Sequence, residues 1–484
     1  MRQAQRESSV QDTTLRETRA GNLRPPARRW LGRDSFLWPL VVTIAFVLAE
    51  LTPALLRMPL GADEITYIAR TSTRVSGVDL PPVHGHGAGL LAAPVTLLTS
   101  SLIALRIWMA LLSGAALYLA LLCWRGLRAA WVLALAGLIL GSLAITQLSG
   151  VQVYPDWWAA IAILALTGLF LQLVNGRWRP VPLLLGIGFC AFLIVLMRPQ
   201  NVVFVLAPVV AAAVFVPAWR KLSALLAIAA GSALGIADWV GEAFLWYGGL
   251  SSRIHLANGE PPKLSLYFSF PYQVKVLSGP WYCLAPGQRG ACTSWNMPGL
   301  TVWWAALAIL GIVGLIVAWR RPIWSSSLLA AVSGLWVVLL YSFLVPFGAP
   351  RYFLPAYVFL AILAADAIAW LVTEARWRNL GIAASVLFLL TGIVTQRVVL
   401  DRQVSSQDYN RNFVAQASHL EQLGVHPPCV IYSPSAAYFA GCSAPWTGET
   451  LGDFLRRTPQ GTDGWRRLYL PGLGQTKVYV PKAR

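Results

Sequence analysis

Charged side chains are scarce in this chain. Asp, Glu, Lys and Arg make up 12% of its 484 residues, against roughly a quarter in soluble domains, which excludes an ordinary water-soluble globule. Histidine occurs five times and cysteine six times, without zinc-finger spacing. There is no tandem repeat and no glycine-rich phosphate-binding loop, which removes the enzyme classes built on them. What is abundant is apolar: hydrophobic residues are 57% of the chain and its mean hydropathy is +0.60. A bilayer core about 30 Å thick needs around 20 apolar residues per helix. Such runs recur at about 36–56, 103–123, 129–147, 157–174, 181–197, 200–217, 221–240, 300–318, 323–346, 353–372 and 379–399. The expected fold class is therefore an α-helical polytopic membrane protein with about eleven transmembrane helices.

The formal net charge of +18 and pI near 10.1 would point to nucleic acid in a soluble protein. Here the Arg clusters sit between apolar runs, so they read as topogenic charge and no nucleic-acid partner is expected. Residues 1–33 are polar and Arg-rich, with no apolar h-region or small-residue cleavage site. They read as a disordered cytoplasmic tail rather than a signal peptide. With the N-terminus inside, the inner segments carry Arg28–Arg29, Arg125/Arg128, Arg177/Arg179, Arg220–Lys221, Arg320–Arg321 and Arg376/Arg378. Every predicted inner loop then holds a basic pair, as the positive-inside rule requires. Eleven spans put the C-terminus outside the cytoplasm. A composition rich in Ala, Leu, Val, Arg and Trp suggests a high-GC bacterium, hence a bacterial plasma membrane.

This topology places loop 57–102, the turns Gln147–Asp156, Arg198–Asn201 and Pro346–Tyr352, loop 241–299 and the tail 400–484 on the outer side. All five histidines fall there: His84, His86, His255, His419 and His426. Exclusion of His from apolar spans yields the same distribution. Cys283 and Cys292 share one outer loop, and Cys429 and Cys442 the tail. Two outer disulfides are expected, the alternative being four free thiols; Cys123 and Cys190 lie in or near spans. The tail alternates helical stretches (410–423, 450–457) with a short apolar run (429–432) and β-rich ends (468–470, 478–480). It reads as an α/β cap domain over 401–484, small enough that docking on the membrane domain 34–400 is expected.

Chemistry can be sought on the outer side. The loop after the first span opens with Gly61-Ala62-Asp63-Glu64-Ile65-Thr66-Tyr67. If 63–74 is helical, Asp63, Tyr67, Arg70 and Arg74 share a face that sets acid beside base; the same pattern also simply complements a helix dipole. Pro81-Pro82-Val83-His84-Gly85-His86-Gly87 is a stiff entry into a flexible turn whose histidines could face a phosphate or a metal. Arg106, Arg198 and Arg351 lie at the outer ends of spans, against the positive-inside trend. Snorkelling to headgroups explains any one of them, and the three together suggest a phosphorylated lipid substrate. Asp156, in Tyr154-Pro155-Asp156-Trp157-Trp158, can cap a helix or take part in catalysis. Glu50, Asp238 and Asp366 within spans need partners or a cavity.

The order of these features resembles the GT-C class of membrane glycosyltransferases, specifically the group of protein O-mannosyltransferases and lipid A aminoarabinose transferases. The resemblance covers most of residues 36–400. It rests on Asp63-Glu64 in the first outer loop, the His-Gly segment, Ala104-Leu105-Arg106 opening the second span, Pro155-Asp156 opening the fourth, and Arg351-Tyr352-Phe353-Leu354-Pro355 at a late span. It implies a GT-C-like bundle with an extracytoplasmic domain. It also implies inverting transfer of a sugar from a polyprenyl-phosphate donor to a cell-envelope glycan or lipid acceptor. By the resemblance Asp63 is the base and Glu64 positions acceptor or donor. Arg106, Arg198, Arg351, His84 or His86 would hold the donor phosphate, and Tyr67, Asp156 and Tyr352 would position substrate. The chain is shorter than the mannosyltransferases and lacks their lumenal ligand-binding insertion, so a protein acceptor is not expected. No dense carboxylate cluster demands a metal and no metal ligands are assigned, although a divalent metal stays open as a cofactor. A transporter or lipid flippase, or a lipid-linked glycan ligase or polymerase, are the alternative functions.

Overall fold

The structure is a computed structural model that describes residues 34–73, 77–176, 178–259, 264–280, 282–284, 298–445, 451–458, 460–468 and 477–482. The expected tail 1–33, Arg74, Arg177 and Cys292 lie outside these residues. Each of the eleven apolar runs is helical over most of its length. Among the described residues, eight helices are long and apolar enough to cross a membrane, and nine if the bent pair Ala130–Ser142 and Ala144–Val151 is one span. Nine of the eleven expected runs thus reach spanning length. The other two runs are shorter apolar helices, Phe36–Glu50 and Val202–Phe215. Thr52-Pro53 stops the first, because proline cannot donate to the preceding turn. The second starts with a π-turn over Val202–Leu206 and ends before Pro217.

The bent pair turns by 80° at Leu143, whose backbone is extended. A break at membrane depth must have its freed polar groups satisfied. Here Ala144 N–H donates to Gln396 Oε1 at 3.0 Å and Gln147 Nε2 donates to the Gly141 carbonyl at 3.0 Å. The second half of the pair delivers Val151 and Val153 to the centre described below.

The two ends of the bundle differ in chemistry. At one end Arg125 lies over the rings of Phe36 (4.3 Å) and Trp178 (5.0 Å). Nearby loops are tied by Arg321–Glu374. Arg128 donates to Asp366 through Nε (2.8 Å) and to Ser326 and Ser327. Arg125, Arg128 and Arg321, from three of the predicted basic loops, thus lie at this end, and Asp366 finds its partner there. The opposite end gathers the loop after the first helix, the Val151–Asp156 turn, Arg198, the start of helix Leu250–Gly259, and the Pro350–Phe353 turn.

The tail builds on this second end. Helix Arg378–Ser406 runs straight through the expected domain boundary at 400 and leads into helix Arg411–Gln422. A five-stranded sheet has the order β1-β3-β2-β5-β4, with β1 Gly77–Val78, β2 Val430–Ile431, β3 Ser443–Ala444, β4 Trp465–Leu468 and β5 Val478–Pro481. Its edge strand β1 comes from the first loop and pairs in parallel with β3, Gly77 opposite Ser443 and Val78 opposite Ala444. The cap is therefore not closed within 401–484. A disulfide joins Cys429 to Cys442, just before β2 and β3. Cys283 is also disulfide-bonded, while Cys123 and Cys190 are free. Helix Pro434–Ala440, absent from the sequence expectation, starts with Ser433 accepting from Ala436 N–H and ends at left-handed Gly441. Its Tyr438 hydroxyl meets Ser72 Oγ at 2.6 Å.

Candidate functional site

Asp63 and Glu64 open the short helix Ala62–Ile68 and part company there. Glu64, at the third helical position, turns back and accepts the Gly61 N–H at 2.9 Å, the side-chain half of a capping box. Its fully buried carboxylate also accepts the Val153 N–H (2.9 Å) and both terminal nitrogens of Arg106, one at 2.9 Å. Arg106, equally buried, also donates from its two terminal nitrogens to the carbonyls of Val151 (2.9 Å), Met58 and Pro59 (3.3 Å each), while its Nε has no partner. Such a bidentate pair ties three segments together. The structure thus brings Arg106 to Glu64 and not to Asp63, and faces neither toward the remaining predicted residues.

Asp63 faces the other way, with 45% of its side chain exposed. Arg351 Nη2 donates to its Oδ2 at 3.0 Å, while Arg351 Nε stands 3.6 Å from Asp156 Oδ2. Asp156 in turn accepts from Arg198 Nη2 at 3.3 Å. Two carboxylates and two guanidiniums alternate. Aromatic rings wall them: Arg351 lies 4.7 Å from the Tyr154 ring and 5.7 Å from that of Tyr352, and Arg198 lies 5.4 Å from Tyr352. Tyr352 stacks on Tyr341 at 4.9 Å. Tyr67, one turn after Asp63, packs its ring 5.2 Å from the His84 imidazole. The helix ends at Ile68, so Arg70 leaves the face expected to carry it with Asp63 and Tyr67.

Several polar atoms of this cluster are buried without a hydrogen-bond partner: Tyr67 Oη, His84 Nδ1, Arg198 Nε and Arg351 Nε. Buried polar atoms are seldom left unpaired, and here four converge beside an accessible carboxylate. Burial raises the Asp63 pKa, but attraction to Arg351 and the hydrogen bond from it outweigh burial and hold the carboxyl below its ordinary value. Burial, reinforced by the Arg198 charge, lowers His84 to about 3. His84 is therefore held neutral near pH 7. Burial raises the Tyr67 and Tyr154 hydroxyls, which stay protonated.

His86 points elsewhere. Its Nδ1 is 3.5 Å from Glu242 Oε1, which also accepts from Arg70 Nη1 at 2.9 Å. Arg253 Nη1 reaches Glu242 Oε2 at 3.2 Å. Gly85 lets the turn between the two histidines lie against helix Pro180–Met197: a Cβ there would sit 2.4 Å from the Leu196 carbonyl oxygen. That approach brings His84 beside Arg198. Glu242, Arg253 and Tyr341 were not singled out from sequence. Arg253 did carry the available signal, as another arginine on the outer side. Among the described residues no three His, Cys, Asp or Glu side chains group so as to hold a metal ion.

No protein-family model matches the chain, and no curated protein matches it in sequence. Solved structures do match. ArnT from Cupriavidus metallidurans bound to undecaprenyl phosphate superposes with a TM-score of 0.58 at 13% identity, over 84% of this chain and 85% of that one. The Archaeoglobus fulgidus oligosaccharyltransferase in the apo form superposes with a TM-score of 0.50 at 13% identity, over 84% of this chain and 64% of that one. The fold is that of the GT-C membrane glycosyltransferases, a polytopic helical bundle with a small sheet-bearing domain.

Proposed function

We propose that this protein is an inverting glycosyltransferase that takes a sugar from a polyprenyl-phosphate donor and passes it to a glycan or lipid acceptor of the cell envelope. The observation that carries the reading is the half-exposed Asp63 carboxylate beside two guanidiniums with unspent donors. In the proposed step the acceptor oxygen attacks the anomeric carbon as the carbon–oxygen bond to the lipid phosphate breaks. Asp63 receives the acceptor's proton, and the phosphate leaves with the bonding electrons toward Arg351 and Arg198. Hydrogen-bond donors and fixed charge aimed at a departing phosphate lower such a barrier. Tyr67 and neutral His84 are placed to orient substrate hydroxyls, and the Tyr154 and Tyr352 rings border the same space.

The likeness to a structure bound to undecaprenyl phosphate supports a lipid phosphate as the leaving group. The clustering of Arg125, Arg128 and Arg321 at the far end supports an extracytoplasmic site, with the N-terminus inside. Glu64 and Arg106 are read as the frame that holds Asp63. The test is a screen of polyprenyl-phosphate sugars with the purified protein, following transfer and anomeric configuration by mass spectrometry and NMR. Transfer with inversion, abolished in Asp63→Asn, is the expected result. Lipid movement across vesicles without chemical change would instead indicate a transporter.

A further inference from the structure

The turn that carries His84 has little structure of its own. Residues 79–86 lie between strand β1 and helix Gly87–Thr96, and they are held from outside. Arg253 supplies most of the hold. Its Nε donates to the Pro82 carbonyl at 3.0 Å and its Nη2 to the His84 carbonyl at 2.9 Å. Nη1 spans the Trp239 carbonyl and the Glu242 carboxylate. The Arg253 side chain is fully buried, with its guanidinium 4.3 Å from the Trp239 ring and 4.5 Å from the Tyr247 ring. Tyr247 itself donates to the Leu80 carbonyl, and Trp239 to that of Pro82. Gly248 and Gly249, at φ +75° and +120°, allow the reversal that folds helix Leu250–Gly259 back onto Leu222–Trp246. Only glycine adopts such angles freely.

We propose that Arg253 is a positioning residue: by gripping the carbonyls of Pro82 and His84 it sets the His84 imidazole against Tyr67 and the Asp63 carboxylate. The proposal rests on the transferase reading for its consequence in turnover, but its geometry can be tested without turnover. A planar guanidinium with donors fixed in a fork can serve two carbonyls of one turn and a carboxylate together. A lysine ammonium is a single point of charge and cannot. Loss of this grip frees the turn, and displacement of an orienting group by about 1 Å can cost up to roughly 100-fold in rate.

The experiment uses the full chain in detergent and two variants, Arg253→Ala and Arg253→Lys. Diethyl pyrocarbonate acylates neutral imidazoles, and the modified histidines are counted by mass spectrometry, with His419 and His426 in the cap as internal references. The expected result is a several-fold faster modification of His84 in both variants, with His419 and His426 unchanged. Arg253→Lys, which keeps a cation opposite Glu242, guards against loss of the fold. An unchanged His84 rate in both variants overturns the proposal, as does full protection by lysine. Where a donor supports turnover, kcat/KM falls about 10- to 100-fold in Arg253→Lys. That loss largely disappears when His84→Gln is already present, because residues acting through one group are not additive. Additive losses also overturn the proposal. A donor screen without any turnover refutes the transferase reading alone and leaves the His84 labelling decisive.

Discussion

Asp63 and Glu64 are neighbours in sequence with the same functional group, yet they live in opposite environments. Glu64 is sealed, with four hydrogen bonds to its carboxylate including a bidentate pair to Arg106. Asp63 is half open and shares Arg351 with Asp156. One helical residue, a turn of about 100°, separates a framing role from a reactive one. A carboxylate already saturated by fixed donors has no room for a substrate proton. One with a single strong partner can exchange that partner for substrate.

The contrast can be broken in order of expected effect. Asp63→Asn removes the proton acceptor and should lower turnover by roughly 10²- to 10⁴-fold. Its thermal unfolding should change less than that of the Glu64 variants below, since Asn keeps a side-chain oxygen to accept from Arg351 and Asp63 is half open. Retained turnover in Asp63→Asn would sink the mechanism. Glu64→Ala, or Arg106→Ala, should instead destabilise the protein by about 3–5 kcal/mol by stranding a buried charge. Unfolding in detergent measures this, and a Glu64 variant as stable as wild type would show that the frame is not needed. Arg351→Gln should weaken binding of undecaprenyl phosphate, measured by calorimetry, by about tenfold, the size of a hydrogen bond to a charged group. Equal binding would place the phosphate elsewhere.

The smallest effect concerns pH. His84, at about 3 when folded, titrates near 6.5 when unfolded. The unfolded chain therefore binds the proton first, and stability is full above about pH 6.5 and declines as pH falls toward 3. His84→Gln should flatten that part of the curve of unfolding temperature against pH. An unaltered slope would assign it to other groups. Asp63, held below its ordinary value, contributes stability that is present above about pH 3.9 and lost as pH falls through its lowered folded value, so it should not impose an acid limb on turnover between about pH 5 and 8.

Much of the architecture is legible in the sequence. The runs of apolar residues, the segregated arginines and the cysteine pair 429/442 each follow from local composition. Other elements are not. Helix Pro434–Ala440 has only seven residues, although Ser433-Pro434 and Gly441 marked its ends. The tail seemed a closed domain because strand β1 lies more than 300 residues earlier, and two residues have no alternation to read. Within the site, Asp63, Tyr67, His84, Asp156, Arg198, Arg351 and Tyr352 come together. Arg106 and His86 join other partners, and nothing in their local sequence distinguishes them from the rest.

The sequence by itself determined the solvent, the helical runs and the charged end, because the cost of placing polar groups in hydrocarbon is paid residue by residue. Which carboxylate stays free was decided only by tertiary structure. Glu64 is claimed by an arginine 42 residues away and Asp63 by one 288 residues away, and only the packing of the bundle sets which of the two carboxylates is sealed and which stays half open.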